Sequence, residues 1–323
     1  MTLPDVILVA FNPKAGAADR AELLDCLRRR LEELRFEVHM VDDLTELKSL
    51  AAQFQVTGRL RLVVSAGGDG TLAAVAERTA PDTSLAVFPL GTENLMAKWI
   101  GATTVVDQFV AAVNANRTVL NDAALANGRL ALITIGIGFD AEVVRMVHTR
   151  RTGHITKWSY AWPILCTIWK YNFPQFRIKI QNWSEVALPK KTVTLKDNGL
   201  ADASRLRSWT APWVFIANLP LYAGGLSIVP HAQPADGLLD VACFSGVGRI
   251  RGLFYALCIA LRRHTKCRDY SAFLARRITI ESSEVTGYQV DGDYGGQLPL
   301  EIEILPARIK LLRFDRQDVS LNS

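Results

Sequence analysis

Five consecutive residues, Gly67-Gly68-Asp69-Gly70-Thr71, interrupt the apolar run Leu62-Val63-Val64 and precede an Ala-rich stretch of helical spacing, Leu72–Thr79. Strand, glycine turn and helix in that order present backbone N–H groups and a helix amino terminus to an anion. Glycine also lets a phosphate approach where a Cβ would stand. A carboxylate inside such a turn repels phosphate, so Asp69 implies either a bridging Mg2+ or a proton transfer. The plainer reading makes Asp69 and Thr71 caps of a tight strand–helix turn. The turn alone does not separate these readings.

Two further turns have the same setting. Asn12-Pro13-Lys14-Ala15-Gly16 follows the strand-like Val6–Phe11, and Leu90-Gly91-Thr92-Glu93-Asn94 follows Leu85–Pro89. Helices are expected over Arg20–Leu34, Leu44–Phe54 and Leu95–Ile100, with another strand at Phe36–Val41. Asp19 can cap the first helix, whose Leu23, Leu24, Leu27, Leu31 and Leu34 share one face. This alternation predicts a parallel sheet with helices on both faces. The carboxyl ends of parallel strands share one edge, so all three turns converge where ligands bind.

After Asp122 the texture changes. Strand candidates follow at Leu130–Ile137, Phe176–Ile180, Lys191–Leu195, Trp213–Ala217, Asp240–Phe244, Arg277–Glu281, Gly287–Val290 and Leu300–Ile304. Two helical stretches interrupt them, Trp158–Trp169 and Leu253–Leu261. The expected organisation is an α/β domain over residues 1–124, a β-rich domain over 125–308, and a strand and tail over 309–323 that can return to the first domain. The loop-like stretch Pro189–Leu206 is internal to the second.

The 323 residues are 49% apolar and 21% charged, enough to bury a sizeable core. A net charge of +5 and a pI near 9.0 suit an anionic nucleotide or a membrane surface. The basic residues are dispersed, so no nucleic-acid partner is expected. Five scattered cysteines without a CxxC pair argue against a disulfide framework and for a reducing cytosol. The amino terminus does not read as a signal peptide. Neither apolar stretch reaches the ~20 residues of a membrane span.

Six motifs in order, FNPKAG (Phe11–Gly16), GGDGT (Gly67–Thr71), PLGTEN (Pro89–Asn94), GIGFDA (Gly136–Ala141), ADGLLDV (Ala235–Val241) and VDGD (Val290–Asp293), carry a resemblance. The chain resembles the bacterial soluble lipid kinases of the diacylglycerol kinase catalytic-domain superfamily, which includes the sphingosine and ceramide kinases. The resemblance implies an NAD kinase/diacylglycerol kinase-like α/β domain that binds ATP and a β-rich domain that takes the lipid. It sets Asn12, Pro13, Lys14, Ala15 and Gly16 against the nucleotide, Gly67, Gly68, Asp69, Gly70 and Thr71 on its phosphates, and Thr92 and Asn94 beside them. ATP would lie in the cleft between the domains.

The same resemblance makes the last acid of VDGD the general base. Relatives have Glu there; here Asp293 keeps the carboxylate on a shorter arm, and Asp291 or Asp69 can share the work. An Asp-Gly pair is also a strong hairpin signal. By position, Gln233, Asp236 and Leu238 would hold a structural Mg2+, largely through backbone carbonyls, and Asp122 would link that metal to the active site. The acid that relatives carry after Asn94 is missing, leaving Glu93 or Asp122 to compensate.

The expected activity is thus Mg2+-assisted phosphoryl transfer from ATP to a membrane-lipid hydroxyl, diacylglycerol-like or sphingoid, by a cytoplasmic, peripherally membrane-associated protein. A homodimer is left open. A kinase of a soluble acceptor such as NAD and a non-catalytic nucleotide- or lipid-binding protein are the rivals. Trp158, Tyr160, Trp162, Ile164, Leu165, Ile168 and Trp169, flanked by Arg150, Arg151, His154, Lys157 and Lys170, suit an interfacial surface. The plainer account packs this Trp-rich helix on the β-rich domain. Arg249, Arg251, Arg262, Arg263, Lys266 and Arg268 around Leu253–Leu261 form a second such candidate.

Overall fold

The computed structural model describes residues 5–12, 18–149, 158–185 and 207–314. It divides into two compact units, Met1–Asn121 with Ala307–Ser323, and Asp122–Pro306. The first begins with β1 (Val6–Phe11), α1 (Ala18–Glu33), β2 (Glu37–Val41) and α2 (Leu44–Val56). It continues through β3 (Leu60–Gly67), α3 (Asp69–Arg78), β4 (Ser84–Pro89), α4 (Leu95–Ile100) and α5 (Val106–Ala115). Next come β5 (Thr118–Ala126), β6 (Arg129–Ala131), β7 (Thr134–Gly138), α6 (Phe139–Thr149), α7 (Trp158–Lys170), β8 (Phe176–Glu185), β9 (Arg207–Ala211) and β10 (Trp213–Ala217). The chain ends through β11 (Leu239–Phe244), α8 (Arg249–Ala260), β12 (Tyr270–Glu281), β13 (Gly287–Val290), β14 (Asp293–Gln297) and β15 (Leu300–Leu312).

In the first unit the strands lie in the order β2-β1-β3-β4 and all pair in parallel. The end of β15 adds to β4, with Lys310 opposite Ser84 and Leu311 opposite Leu85. Val6–Val9 and Leu62–Val64 are wholly buried, as strands covered on both faces must be. α1 turns Leu24, Leu27 and Leu31 inward, and Asp43 caps α2 through the Thr45 N–H at 2.6 Å. The Asp19 side chain lies outside the described residues. Sequence periodicity missed α5, although Phe109, Val110 and Val113 bury one face of it and Phe109 meets Phe88 edge-on at 5.1 Å.

The second unit is antiparallel. Its strands run β14-β13-β7-β10-β11-β12-β15, with β8 on β12 and β9 on β8. Alternation sends successive side chains to opposite cores. Val214, Ile216, Val241 and Cys243 join Ile178, Ile180, Ile278 and Ile280 in one. Trp213, Phe215, Ala242 and Phe244 join Phe139, Ile168, Tyr255 and Ile259, from the three helices, in the other.

Two expectations about elements change. Leu130–Ile137 is not one strand but β6 and β7, broken at Leu132-Ile133, whose N–H groups turn to a side chain described below. Leu300–Ile304 and Ile309–Phe314 belong largely to the single strand β15. Asp122 sits within β5. Lys191–Leu195 and most of Pro189–Leu206 lie outside the described residues.

Candidate functional site

In the first unit, β3 and β4 end side by side, with Gly67 opposite Pro89. The helix after β3 begins at Asp69, so Asp69, Gly70 and Thr71 form its first turn rather than a loop before it. Gly68 is its amino-terminal cap, with no side chain closing that end. Thr71 N–H donates to the Gly68 carbonyl at 3.0 Å; the N–H groups that precede it in a helix's first turn have no partner further back in the helix, so the α3 terminus presents donors at the carboxyl edge of the sheet.

Asp69 does not point along that terminus as a lone charge. Its Oδ2 accepts the Leu95 N–H at 2.9 Å and its Oδ1 the Met96 N–H at 3.0 Å. The carboxylate therefore caps α4 from another element and ties the turn after β3 to the turn after β4. Burial raises its pKa, while the two N–H donors pull the other way. Asn94 closes the Pro89–Asn94 turn upon itself. Its Oδ1 accepts the Gly91 N–H at 3.0 Å, and its Nδ2 donates to the Gly91 carbonyl at 2.8 Å and to Pro89 at 3.3 Å. It does so in the left-handed region, at φ 49°. The two turns touch backbone to backbone: a Cβ on Gly91 would sit 2.4 Å from the Gly68 Cα. Thr92 is exposed on the same turn, and Glu93 pairs with Lys98 at 3.5 Å. Asn12 is exposed at the end of β1, whereas Pro13, Lys14, Ala15 and Gly16 lie outside the described residues.

In the second unit, Asp291 and Gly292 form the two-residue turn between β13 and β14, both at positive φ (50° and 88°). Asp291, a candidate to share proton transfer, has both carboxylate oxygens engaged by backbone. Its Oδ2 accepts the Leu132 N–H at 2.7 Å, and its Oδ1 accepts those of Ile133 and Thr134, each at 2.9 Å. Three backbone donors fix this carboxylate at the β6–β7 break and anchor the turn there. Asp293 begins β14, part-exposed, with its Oδ2 held by Arg129 at 3.0 Å.

Behind the turn stands a buried acid that sequence reasoning did not single out, Asp140 of GIGFDA. It accepts hydrogen bonds from the Tyr222 hydroxyl and, at 2.9 Å, from Gln289 Nε2. Gln289 in turn accepts the Gly292 N–H at 2.7 Å. Burial pushes Asp140 up to about 6. Gly136 is glycine for this contact, because a Cβ there would fall 1.7 Å from Asp140 Oδ2. The acid within GIGFDA and the polar Gln289 inside a strand were the available signals.

The residues expected around Mg2+ also meet. Asp122 donates its N–H to the Pro234 carbonyl at 2.6 Å and accepts the Gly237 N–H at 2.7 Å through Oδ2. Asp236 Oδ1 accepts the Leu238 N–H at 3.0 Å, folding Gln233–Leu238 tightly. Asp240, missed from sequence, is buried just beyond, and neither of its oxygens is closed by a hydrogen bond of good geometry. His231 Nε2 is 3.4 Å away. Burial, then the nearby Asp236 charge, pushes Asp240 up to about 7. Among the described residues no three His, Cys, Asp or Glu side chains form a cation cage.

Known proteins line up with this arrangement. Residues 6–125 match the diacylglycerol kinase catalytic domain, and residues 133–313 match the YegS C-terminal NAD kinase beta sandwich-like domain. A diacylglycerol kinase of Mycobacterium tuberculosis is 27% identical over 263 residues, 78% of this chain and 76% of that protein. A diacylglycerol kinase structure from Bacillus anthracis superposes with a TM-score of 0.68 at 22% identity, covering 98% of this chain and 99% of the other. An NAD kinase from Archaeoglobus fulgidus, solved with ATP, shares the fold at a TM-score of 0.50 and 12% identity, over 97% and 94% of the two chains.

Proposed function

We propose that this chain, which belongs to the diacylglycerol kinase catalytic-domain family, transfers the γ-phosphoryl group of ATP to a hydroxyl of a diacylglycerol-like or sphingoid membrane lipid. The observation that carries the reading is the joining of two turns into one body at the carboxyl edge of the parallel strands. Asp69 holds α4, Gly91 lies on Gly68, and no side chain caps the α3 terminus. Such preorganised N–H groups can hold phosphate oxygens without rearranging as charge shifts. The Gly67–Thr71 turn would take the phosphates, with Thr71 and Thr92 hydroxyls and the Asn12–Gly16 turn completing the nucleotide contacts.

Asp293 is the general base of this reading. It would accept the proton of the lipid hydroxyl as that oxygen bonds to the γ-phosphorus and the bond to the ADP oxygen breaks. Arg129 steadies its carboxylate, and the Asp291 anchor and the Gln289–Asp140 link fix the turn from which it projects. Asp69 and Asp291 are then positioning residues. Transfer rests mainly on alignment and charge neutralisation, the base adding ~10²–10⁴-fold.

The Gln233–Leu238 loop fits a hard cation. Backbone carbonyls and carboxylates are the oxygen donors Mg2+ prefers, and buried Asp240, with His231 at 3.4 Å and no hydrogen bond of good geometry on either oxygen, adds a carboxylate beside the loop. Gln233, Asp236 and Leu238 would hold the ion, with Asp122 fastened to the same loop. When bound, the ion supplies fixed positive charge that rigidifies this loop.

The test is incubation with labelled ATP and Mg2+, with diacylglycerol or sphingosine vesicles in one arm and NAD and other soluble acceptors in another. A phosphorylated lipid, lost in Asp293→Asn, supports the reading. Label only in a soluble acceptor, or none in any, overturns it.

A further inference from the structure

α7 and α8 of the second unit pack against each other and bury one face each: Thr167 and Ile168 from α7, Gly252, Tyr255 and Ile259 from α8. The opposite faces are also apolar. On α7, Trp162 (64% exposed), Leu165 and Trp169 (66%) recur at i, i+3 and i+7. On α8 and its end, Ile250 (86%), Leu253, Phe254, Leu257 (56%) and Leu261 follow at i, i+3, i+4, i+7 and i+11. A solvated helix keeps its outer face polar; one apolar all round has a second apolar neighbour. Eight large apolar side chains on two touching helices exceed the scattered exposure of an ordinary surface.

The charge carried by α8 and the residues just after it has one sign, and Asp269, next along the chain, pairs with Arg251 at 3.0 Å. From Ser245 to Arg268 the chain holds Arg249, Arg251, Arg262, Arg263, Lys266 and Arg268 and no Asp or Glu. From Trp158 to Lys170 it holds only Lys170. A protein partner or a second copy of this chain would meet a basic rim around an apolar centre; the overall net charge of +5 makes self-pairing of that rim repulsive. Apolar and Trp side chains level with Arg and Lys are instead the composition of an interfacial surface.

We propose that the outer face of α7 and α8 docks on an anionic lipid bilayer, with Trp162, Trp169, Ile250, Phe254 and Leu257 entering the interface and Arg249, Arg262 and Arg263 on the headgroups. No described helix is long and apolar enough to cross a membrane, so the contact is made from one side. The inference rests on surface composition and stands apart from the phosphoryl-transfer reading.

Cosedimentation of the full chain with phosphatidylcholine vesicles, with and without phosphatidylglycerol, tests it. Phosphatidylglycerol should tighten binding at least about tenfold, and added salt should reverse this gain. Ile250→Glu with Leu257→Glu should weaken binding by at least about tenfold. Both side chains are exposed, and an unchanged thermal midpoint shows that the fold is kept; Arg262→Glu with Arg263→Glu gives an independent loss. Equal binding by the apolar-face variant, or indifference to anionic lipid, overturns the proposal. So does a wild-type dimer that ignores vesicles and becomes a monomer in the variant, which makes the face a contact between copies.

Discussion

Asp69 and Asp293 are both aspartates in glycine-rich turns, yet the structure separates their tasks by what surrounds each carboxylate. Asp69 meets two backbone N–H groups of α4, so Asp69→Asn leaves one donor facing an amide. We expect about 1–3 kcal/mol lost in denaturant unfolding and a raised KM for ATP. Asp293 meets Arg129 at the surface, so Asp293→Asn should leave stability nearly unchanged and lower kcat by about 10²-fold or more. Asp293→Glu, which restores a carboxylate on a longer arm, should retain activity; full activity in Asp293→Asn would remove Asp293 from the chemistry. Asp140 gives a pH signature. Burial holds its carboxyl at about 6 in the folded chain, above its unfolded value. Its stabilising contribution is complete below about pH 4 and is lost as pH rises through about 6. The stability difference between wild type and Asp140→Asn should therefore fall by about 2–3 kcal/mol from pH 4 to pH 7. A flat difference across that window would show that Asp140 is not so perturbed.

The turns show where reading by type succeeds and where it stops. Strand–turn–helix order was legible, because apolar β-branched runs and glycine breaks are local properties. The reason for the glycines was not. Sequence explains them by phosphate approach; the structure adds that Gly91 lies against Gly68 and that Gly136 makes room for Asp140. Gly68 and Gly91 are 23 positions apart, beyond any local window, while Gly136 and Asp140 are four apart and meet only because the strand turns into the helix between them. Gly91→Ala should cost about 1–3 kcal/mol and loosen the turn pair, seen as a higher KM for ATP together with a lower denaturation midpoint. Asp-Gly at 291–292 was legible as a hairpin, since few residues accept positive φ twice in succession. The three donors that Asp291 collects come from the broken strand near Leu132, and that break has no local signal. α5 escaped notice because no cap side chain marks its start. Trp162 and Trp169 look like core residues by type, and only the burial of the opposite face of α7 turns them outward.

Across the whole chain, two long-range features carry consequences that can be measured. The end of β15 completes the first unit: Leu311 and Leu312 are fully buried, and Phe314 packs against Phe109 with tilted rings 5.5 Å apart. Removing residues 309–323 should expose the α5 side of that unit and abolish cooperative unfolding at the wild-type midpoint. The Gln233–Leu238 loop should couple Mg2+ to stability. Saturating Mg2+ should raise Tm by about 3 °C or more, and Asp240→Asn should shrink that shift; an unchanged shift would detach Asp240 from the ion. The sequence by itself determined the α/β and β-rich textures, the order of the motifs and the family they belong to, because periodicity, turn chemistry and motif order survive without coordinates. Only the tertiary structure decided which carboxylates hold backbone, which one stands at the surface beside an arginine, and which acids are buried. Those outcomes depend on donors and dielectric brought from residues tens to hundreds of positions away, and the folded chain alone sets them.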